Sequence, residues 1–490
     1  MQDEFGISKR KQKETKELER RKRELARKKP PFFIFYIVFL LALVYIIDEV
    51  ASNIHANLLP EIANDINSGN TAIFYTMESV ATFMLAISIF YKPLADRFGR
   101  KPFLFINTLG MGVSLFICLL ARENSIFLYF VGFFLLRFFV TPDQQVVYIF
   151  EVTPKEKRAR TYSLIKGVAE LGLIAIPLLR RAIMGGDIFG EGLSEADSSL
   201  WRFVFLVPAI AAAVVSFLCL LFARETDAFL KQRITYLEMS EEERERKRKT
   251  DGSSSQGGII AGLKAIFTNK QLLFLVIVTF VYILGRFLSS SYADVLSKAF
   301  SLQGLTEAQV SSKITKTTFY FPFSCALLTM AYGFFSDKFG RKPTVILLLL
   351  LTAISYGLFA FGATASWHPV ALGLLIGVFL GAYWGVGDTL IMMVGESAPT
   401  NLRATVMSLQ GGFYGIGMII SLLVGSRILS FSGEGDENLN AVLYAFLGFA
   451  LLAYILSAVL LWIFTKETKG TEVETVSFGN NEKAEEEKKQ

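Results

Sequence analysis

The chain has 490 residues, of which 52% are hydrophobic and 19% charged, and its mean hydropathy is +0.44. That balance excludes an ordinary soluble domain, whose surface needs far more charge. The formal charge of +6 gathers in the N-terminal tail and a few loops, which is a membrane-orientation pattern and not a nucleic-acid footprint.

Residues 1–31 read as a basic, solvated cytoplasmic tail, with no cleavable signal peptide expected. Apolar stretches of roughly 20 residues follow, the length that crosses a bilayer as a helix. A helix satisfies its own backbone polar groups in lipid. Spans 1 to 6 are predicted near 32–58, 71–91, 102–121, 126–148, 162–180 and 201–223. Residues 224–270 form a cytoplasmic linker, with a charge run at 241–249 and a Gly/Ser-rich stretch at 252–258. Spans 7 to 12 are predicted near 271–293, 317–335, 343–363, 369–393, 404–429 and 440–465, and 466–490 is a cytoplasmic tail. Lysine and arginine fill loops 92–101, 151–161 and 336–342, whereas loops 59–70 and 430–439 hold acids and no base. The alternation places both termini inside, in a multi-pass plasma-membrane protein.

Three motifs recur in order. Asp96-Arg-Phe-Gly-Arg-Lys-Pro102 returns as Asp337-Lys-Phe-Gly-Arg-Lys-Pro343, 241 positions later. Glu151-x-x-Pro154-x-x-x-Arg158 returns as Glu396-x-x-Pro399-x-x-x-Arg403, 245 positions later. Glu225-Thr226 returns as Glu467-Thr468, 242 positions later. Three motifs in the same order at nearly one offset divide the spans into two halves of the same topology, with a solute site expected between them. The expected fold is an all-α membrane protein of twelve transmembrane helices in two six-helix pseudo-symmetric bundles, 32–223 and 271–465.

On these motifs the chain resembles the major facilitator superfamily. The paired loops are similar to its hallmark between spans 2 and 3 and between spans 8 and 9. The Glu-x-x-Pro-x-x-x-Arg segments, and Lys466-Glu-Thr-Lys-Gly470, resemble its sugar-porter-like branches. The resemblance implies secondary transport and a gate on the cytoplasmic side. Gly99 and Gly340 make the tight turns. Asp96, Arg97 and Asp337 flank them. Arg100 and Arg341 are expected to pair with Glu151 and Glu396, locking the halves shut on the inside, with Arg158 and Arg403 completing the segments.

Ionisable groups inside spans are functional candidates. Asp48 and Glu49 lie in span 1, where Asp48, Ser52 and His55 share a face. Glu78 lies in span 2. Arg137 lies in span 4 with Gln144 on its face, and its default partner is Asp48 or Glu49. Lys166 and Glu170 in span 5 are spaced for an in-helix pair. Arg286 in span 7 is isolated. Tyr383, Trp384 and Asp388 in span 10 suit a polar ring or a cation, and Gln410 and Tyr414 share a face of span 11. Gly373, Gly377, Gly381 and Gly385 make a small-residue stripe for close helix approach. Cys118, Cys219 and Cys325 are apolar-segment cysteines with no metal or disulfide spacing.

No nucleotide-binding loop or catalytic constellation is present, so an enzyme is not expected. The expected function is proton-coupled symport of a small polar solute: a sugar, a polyol or an organic acid. A proton-driven drug or metabolite exporter and a non-transporting solute sensor are the alternatives. The expected partners are the solute and the lipid bilayer, with no nucleic acid, no cofactor beyond the proton gradient, and a monomeric chain.

Overall fold

The computed structural model describes residues 2–29, 32–85, 98–122, 125–140, 144–153, 158–185, 198–244, 255–399, 402–431 and 436–469, with 87, 91, 94, 95 and 188 between them. The described regular structure is helical, and ten of its helices are long and apolar enough to cross a bilayer. Span 1 is Phe33–Asn67, span 3 Arg100–Leu119 and span 6 Trp201–Phe222. Span 5 is Arg158–Leu171 continued by a 3-10 turn and Ala175–Met184. Span 7 is Lys270–Leu284 and Phe287–Ser301, span 8 Glu307–Phe339 and span 9 Arg341–Thr364. Span 10 is Pro369–Ser397, span 11 Arg403–Phe431 and span 12 Asp436–Phe464. Spans 2 and 4 are described as shorter helices, Ala72–Ala81, and Phe127–Val140 with Gln144–Val152. Together they make the twelve-helix, two-bundle fold.

Four expectations change. Span 1 runs on through 59–67 where a loop was expected: the helix tolerates Pro60 in its interior because Leu58, Leu59, Ile62 and Ala63 around it are buried in the packed core. Span 8 starts at Glu307, ten positions before the predicted start at 317, because Thr306 and Gln309 form a reciprocal capping box. The basic tail is a helix, Gln2–Ala26, docked on a linker helix, Asp227–Glu238. Glu17 accepts from Arg233 at 3.0 Å and Glu14 from Arg244 at 2.8 Å. A second linker helix, Ser255–Thr268, covers part of the stretch that reads as a flexible linker. Gly262 lets it approach Thr405 and Leu409 of span 11.

Span 10 rests on span 8 through its glycines. A Cβ at Gly381 would lie 2.9 Å from the carbonyl oxygen of Cys325, and one at Gly385 2.9 Å from the ring of Tyr332. The stripe therefore serves close packing. Span 7 breaks at Gly285. The break takes the carbonyls of Leu284 and Gly285 out of the helix ladder, and buried neighbours satisfy them. Ser421 donates to Leu284 at 2.8 Å, and Tyr454 to Gly285 at 2.6 Å. Irregular backbone at membrane depth needs such partners. The break sets Arg286 at the foot of the following half-helix, facing the first bundle.

Candidate functional site

Two guanidinium groups, one from each bundle, converge on a single carboxylate oxygen. Glu78 in span 2 is 1% exposed, and its Oε1 accepts from Arg137 of span 4 and from Arg286 of span 7, the latter at 2.9 Å. Ser290, one turn beyond Arg286, donates to the same oxygen at 3.1 Å. Glu78 Oε2 and Arg286 Nε have no hydrogen-bond partner among the described residues. The cluster therefore keeps a buried acceptor and a buried donor for a further polar group. Sequence reasoning placed Asp48 or Glu49 opposite Arg137. The structure gives it Glu78 instead, while Asp48 accepts from Gln145 at 3.1 Å. The Arg286 that looked isolated in the sequence is the link between bundles.

A second link lies closer to the side that carries the motif loops. Lys166 of span 5 donates to Asp388 of span 10, which also accepts from Tyr332 at 2.7 Å. The in-helix pair of Lys166 with Glu170 is thus replaced by a cross-bundle pair. Glu170 is fully buried and accepts from the Cys325 thiol of span 8 at 3.4 Å. Glu49 accepts from Asn53, one turn on, at 3.4 Å. His55 is buried in span 1, 2.6 Å from the Tyr129 hydroxyl. Tyr383 is buried against Tyr282, ring centroids 5.5 Å apart, while Trp384 is partly buried and packs on the apolar core. Gln410 donates to Thr279 at 2.9 Å within the second bundle. The side chain of Gln144 lies outside the described residues, and its neighbour Gln145 does the bonding.

On the side away from the motif loops the bundles are bonded closely. Asp294 of span 7 accepts from Thr71 at 3.1 Å and Tyr75 at 3.0 Å. Thr76 and Ser426 lie 3.0 Å apart. Arg180 is 1% exposed and joins Glu61 of span 1 to Ser311 of span 8. Arg180 is a base at the end of span 5 on the side where the charge alternation calls for none. Its burial against Glu61 explains the misfit.

The motif loops form the same lattice twice. Glu225 accepts from the backbone N–H of Arg100 at 2.8 Å and Lys101 at 3.3 Å, and Glu467 from Arg341 at 2.8 Å and Lys342 at 3.0 Å. Thr226 donates to Glu151, and Thr468 to Glu396 at 2.6 Å. Arg100 donates to Glu151 at 2.9 Å, and Arg341 to Glu396 at 3.5 Å and Asp337 at 2.9 Å. These pairs stay inside one bundle each, so they brace span ends and do not form the expected lock between bundles. Gly99 and Gly340 have φ of +116° and +106°, which favours glycine, and the glutamates sit where a Cβ would project. Outside the bilayer, burial pushes the Glu467 carboxyl up, but four backbone N–H donors outweigh it and hold it below the ordinary value. At the more buried Glu225 burial wins, and its carboxyl is raised. Arg403 is half-buried; Asp96 and Arg97, and the side chain of Arg158, lie outside the described residues. The repeated Glu-Thr pair was visible in the sequence, but its role as a backbone cap needed the fold.

Two pseudo-symmetric bundles with charge pairs between them make the fold of a polytopic membrane transporter. The profile of the Major Facilitator Superfamily matches residues 41–312 and again 275–479. The chain belongs to that family. It is 25% identical over 195 residues to the class H tetracycline resistance protein of Pasteurella multocida, an alignment covering 39% of this chain and 44% of that protein. The chain thus spans less than half the length of that relative. A D-xylose–proton symporter superposes with a TM-score of 0.65 at 15% identity, over 89% of this chain and 99% of its own. The nucleoside transporter NupG superposes at 0.58 and 13% identity, over 86% and 98%. These structural likenesses concern the fold.

Proposed function

We propose that this transporter is a proton-coupled carrier of a small polar solute, working by alternating access in the plasma membrane with both termini and the motif loops cytoplasmic. The carrying observation is Glu78, held at once by Arg137 of one bundle and Arg286 of the other. A solute that takes one guanidinium away from Glu78 loosens the bond between bundles, so binding and rearrangement are one event. Among sugar, polyol and organic acid, the two guanidinium groups favour an organic acid, since a carboxylate replaces Glu78 on an arginine in kind.

Glu170 is the proposed proton carrier. It faces Cys325 of the opposite bundle, with Lys166 and Glu49 nearby on its own. Its surroundings change whenever the bundles separate, which ties its proton to the cycle. The close bonding on the far side then corresponds to a conformation sealed to the outside.

Liposomes with an imposed pH gradient test the reading. Accumulation of an organic acid with inward proton flow supports it. Extrusion favours the exporter reading, which the similarity to a tetracycline resistance protein keeps in view. Binding without flux favours the sensor.

A further inference from the structure

The N-terminal helix Gln2–Ala26 has two unlike faces. One is docked. Glu14, Glu17 and Arg21 lie on it, and Arg21 reaches the carbonyl of Phe98 at 3.3 Å in the loop between spans 2 and 3. The Arg21 guanidinium also sits over the Phe229 ring of the linker helix, 5.2 Å from its centroid. The other face carries Lys13, Lys16, Arg20, Arg23 and the following Arg27, all exposed. Their spacing alternates three and four, so they form one stripe along the helix.

Nearby acids do not cancel this stripe. Glu14 and Glu17 are engaged by Arg244 and Arg233, and Glu24 by Arg21. Glu19 meets Arg23 at 3.4 Å, with the two side chains 64% and 80% exposed, and so exposed a pair is weak. The stripe ends just before Phe32, Phe35 and Phe39, which are 71%, 76% and 65% exposed at the start of span 1. Such side chains at the head of a span meet lipid. The Arg27 end of the stripe therefore adjoins the head of span 1, on a helix that docking has already ordered.

We propose that the stripe binds anionic phospholipid head groups and, through Arg21, ties the loop between spans 2 and 3 to the membrane surface. Clustered bases immediately flanking a span take up anionic lipid at about 1 kcal/mol each, or about fivefold per base.

The test uses the full chain with Gln12→Cys, an exposed position beside the stripe, labelled with an environment-sensitive dye. The three native cysteines are buried, so labelling is selective. The protein is placed in nanodiscs of phosphatidylcholine alone or mixed with phosphatidylglycerol, and access of an aqueous quencher is measured. Access should fall at least about fivefold in the anionic discs and recover at high salt. The fivefold variant Lys13→Gln, Lys16→Gln, Arg20→Gln, Arg23→Gln, Arg27→Gln should lose this protection. A variant exchanging lysine for arginine and arginine for lysine at the same positions should keep it. Equal quenching in both discs overturns the proposal. So does protection lost equally in the exchange variant, or protection that appears only when a soluble polyanion such as RNA is added.

Discussion

Replacing Glu78 by glutamine removes the one charge on which Arg137 and Arg286 converge. The amide keeps the shape and leaves two guanidinium groups facing each other. Unit charges about 4 Å apart repel by about 4 kcal/mol at an effective dielectric near 20. Losing one partner of a buried ion pair costs about 3–5 kcal/mol by a separate route. Arg286 and Ser290 reach Glu78 from the second bundle, so the penalty falls on the conformation that holds the bundles together at that level. Even half of it shifts a two-state population by more than about tenfold. Thr71 is buried beside Asp294 on the far side, and a thiol there reports the separation. Maleimide labelling of Thr71→Cys should rise at least about tenfold with Glu78→Gln, and solute exchange in liposomes should fall in parallel. Adding Arg286→Gln should recover part of the loss, with a coupling energy of about 1–3 kcal/mol in the double-mutant cycle. Unchanged labelling, together with additivity within about 0.5 kcal/mol, would refute the reasoning.

Lys166→Met and Asp388→Asn should each lower exchange and thermal stability by more than the double variant does, because each single change strands one buried charge; melting curves of the three proteins check this. Glu170→Gln should retain solute exchange but lose accumulation driven by a pH gradient, and accumulation at the wild-type level rejects its role as proton carrier. Gly340→Ala should cost about 1–3 kcal/mol, since φ is +106° and the new Cβ would lie 2.6 Å from Glu467; the denaturation midpoint reads it. Glu467 has a folded pKa below its ordinary value of 4.5. Its stabilisation is therefore present above that value and is lost as pH falls through the lowered one. Glu467→Gln should thus show its largest melting deficit at neutral pH and a vanishing one in acid, and a pH-independent deficit contradicts the assignment.

The motif lattice shows how far local pattern reaches. Gly99 and Gly340 could be read as turns from their place between spans, and Arg100 with Glu151 as a pair from the resemblance to the superfamily. That each pair stays within its own bundle could not be read, since a repeat does not say which copy a side chain meets. Asp48, next to Glu49 on span 1, looked the natural mate for Arg137. Packing decided otherwise, by turning Gln145 toward Asp48 and Glu78 toward Arg137. Likewise an i,i+4 spacing suggested Lys166 with Glu170, yet Asp388 from another span is the stronger claimant once the bundles meet.

The sequence by itself determined the membrane class, the number and order of the spans, the two-fold repeat and most of the costly buried charges, though not Glu61, Arg180 and Asp294. Hydropathy and repeated motifs are properties of single segments or of their order along the chain. Tertiary structure alone decided which charges meet. Each span presents several faces, and only packing chooses the one that turns inward. The break at Gly285, satisfied by Ser421 and Tyr454, is the instance on which the site depends. It brings Arg286 to Glu78, and no local signal in span 7 foretold that meeting.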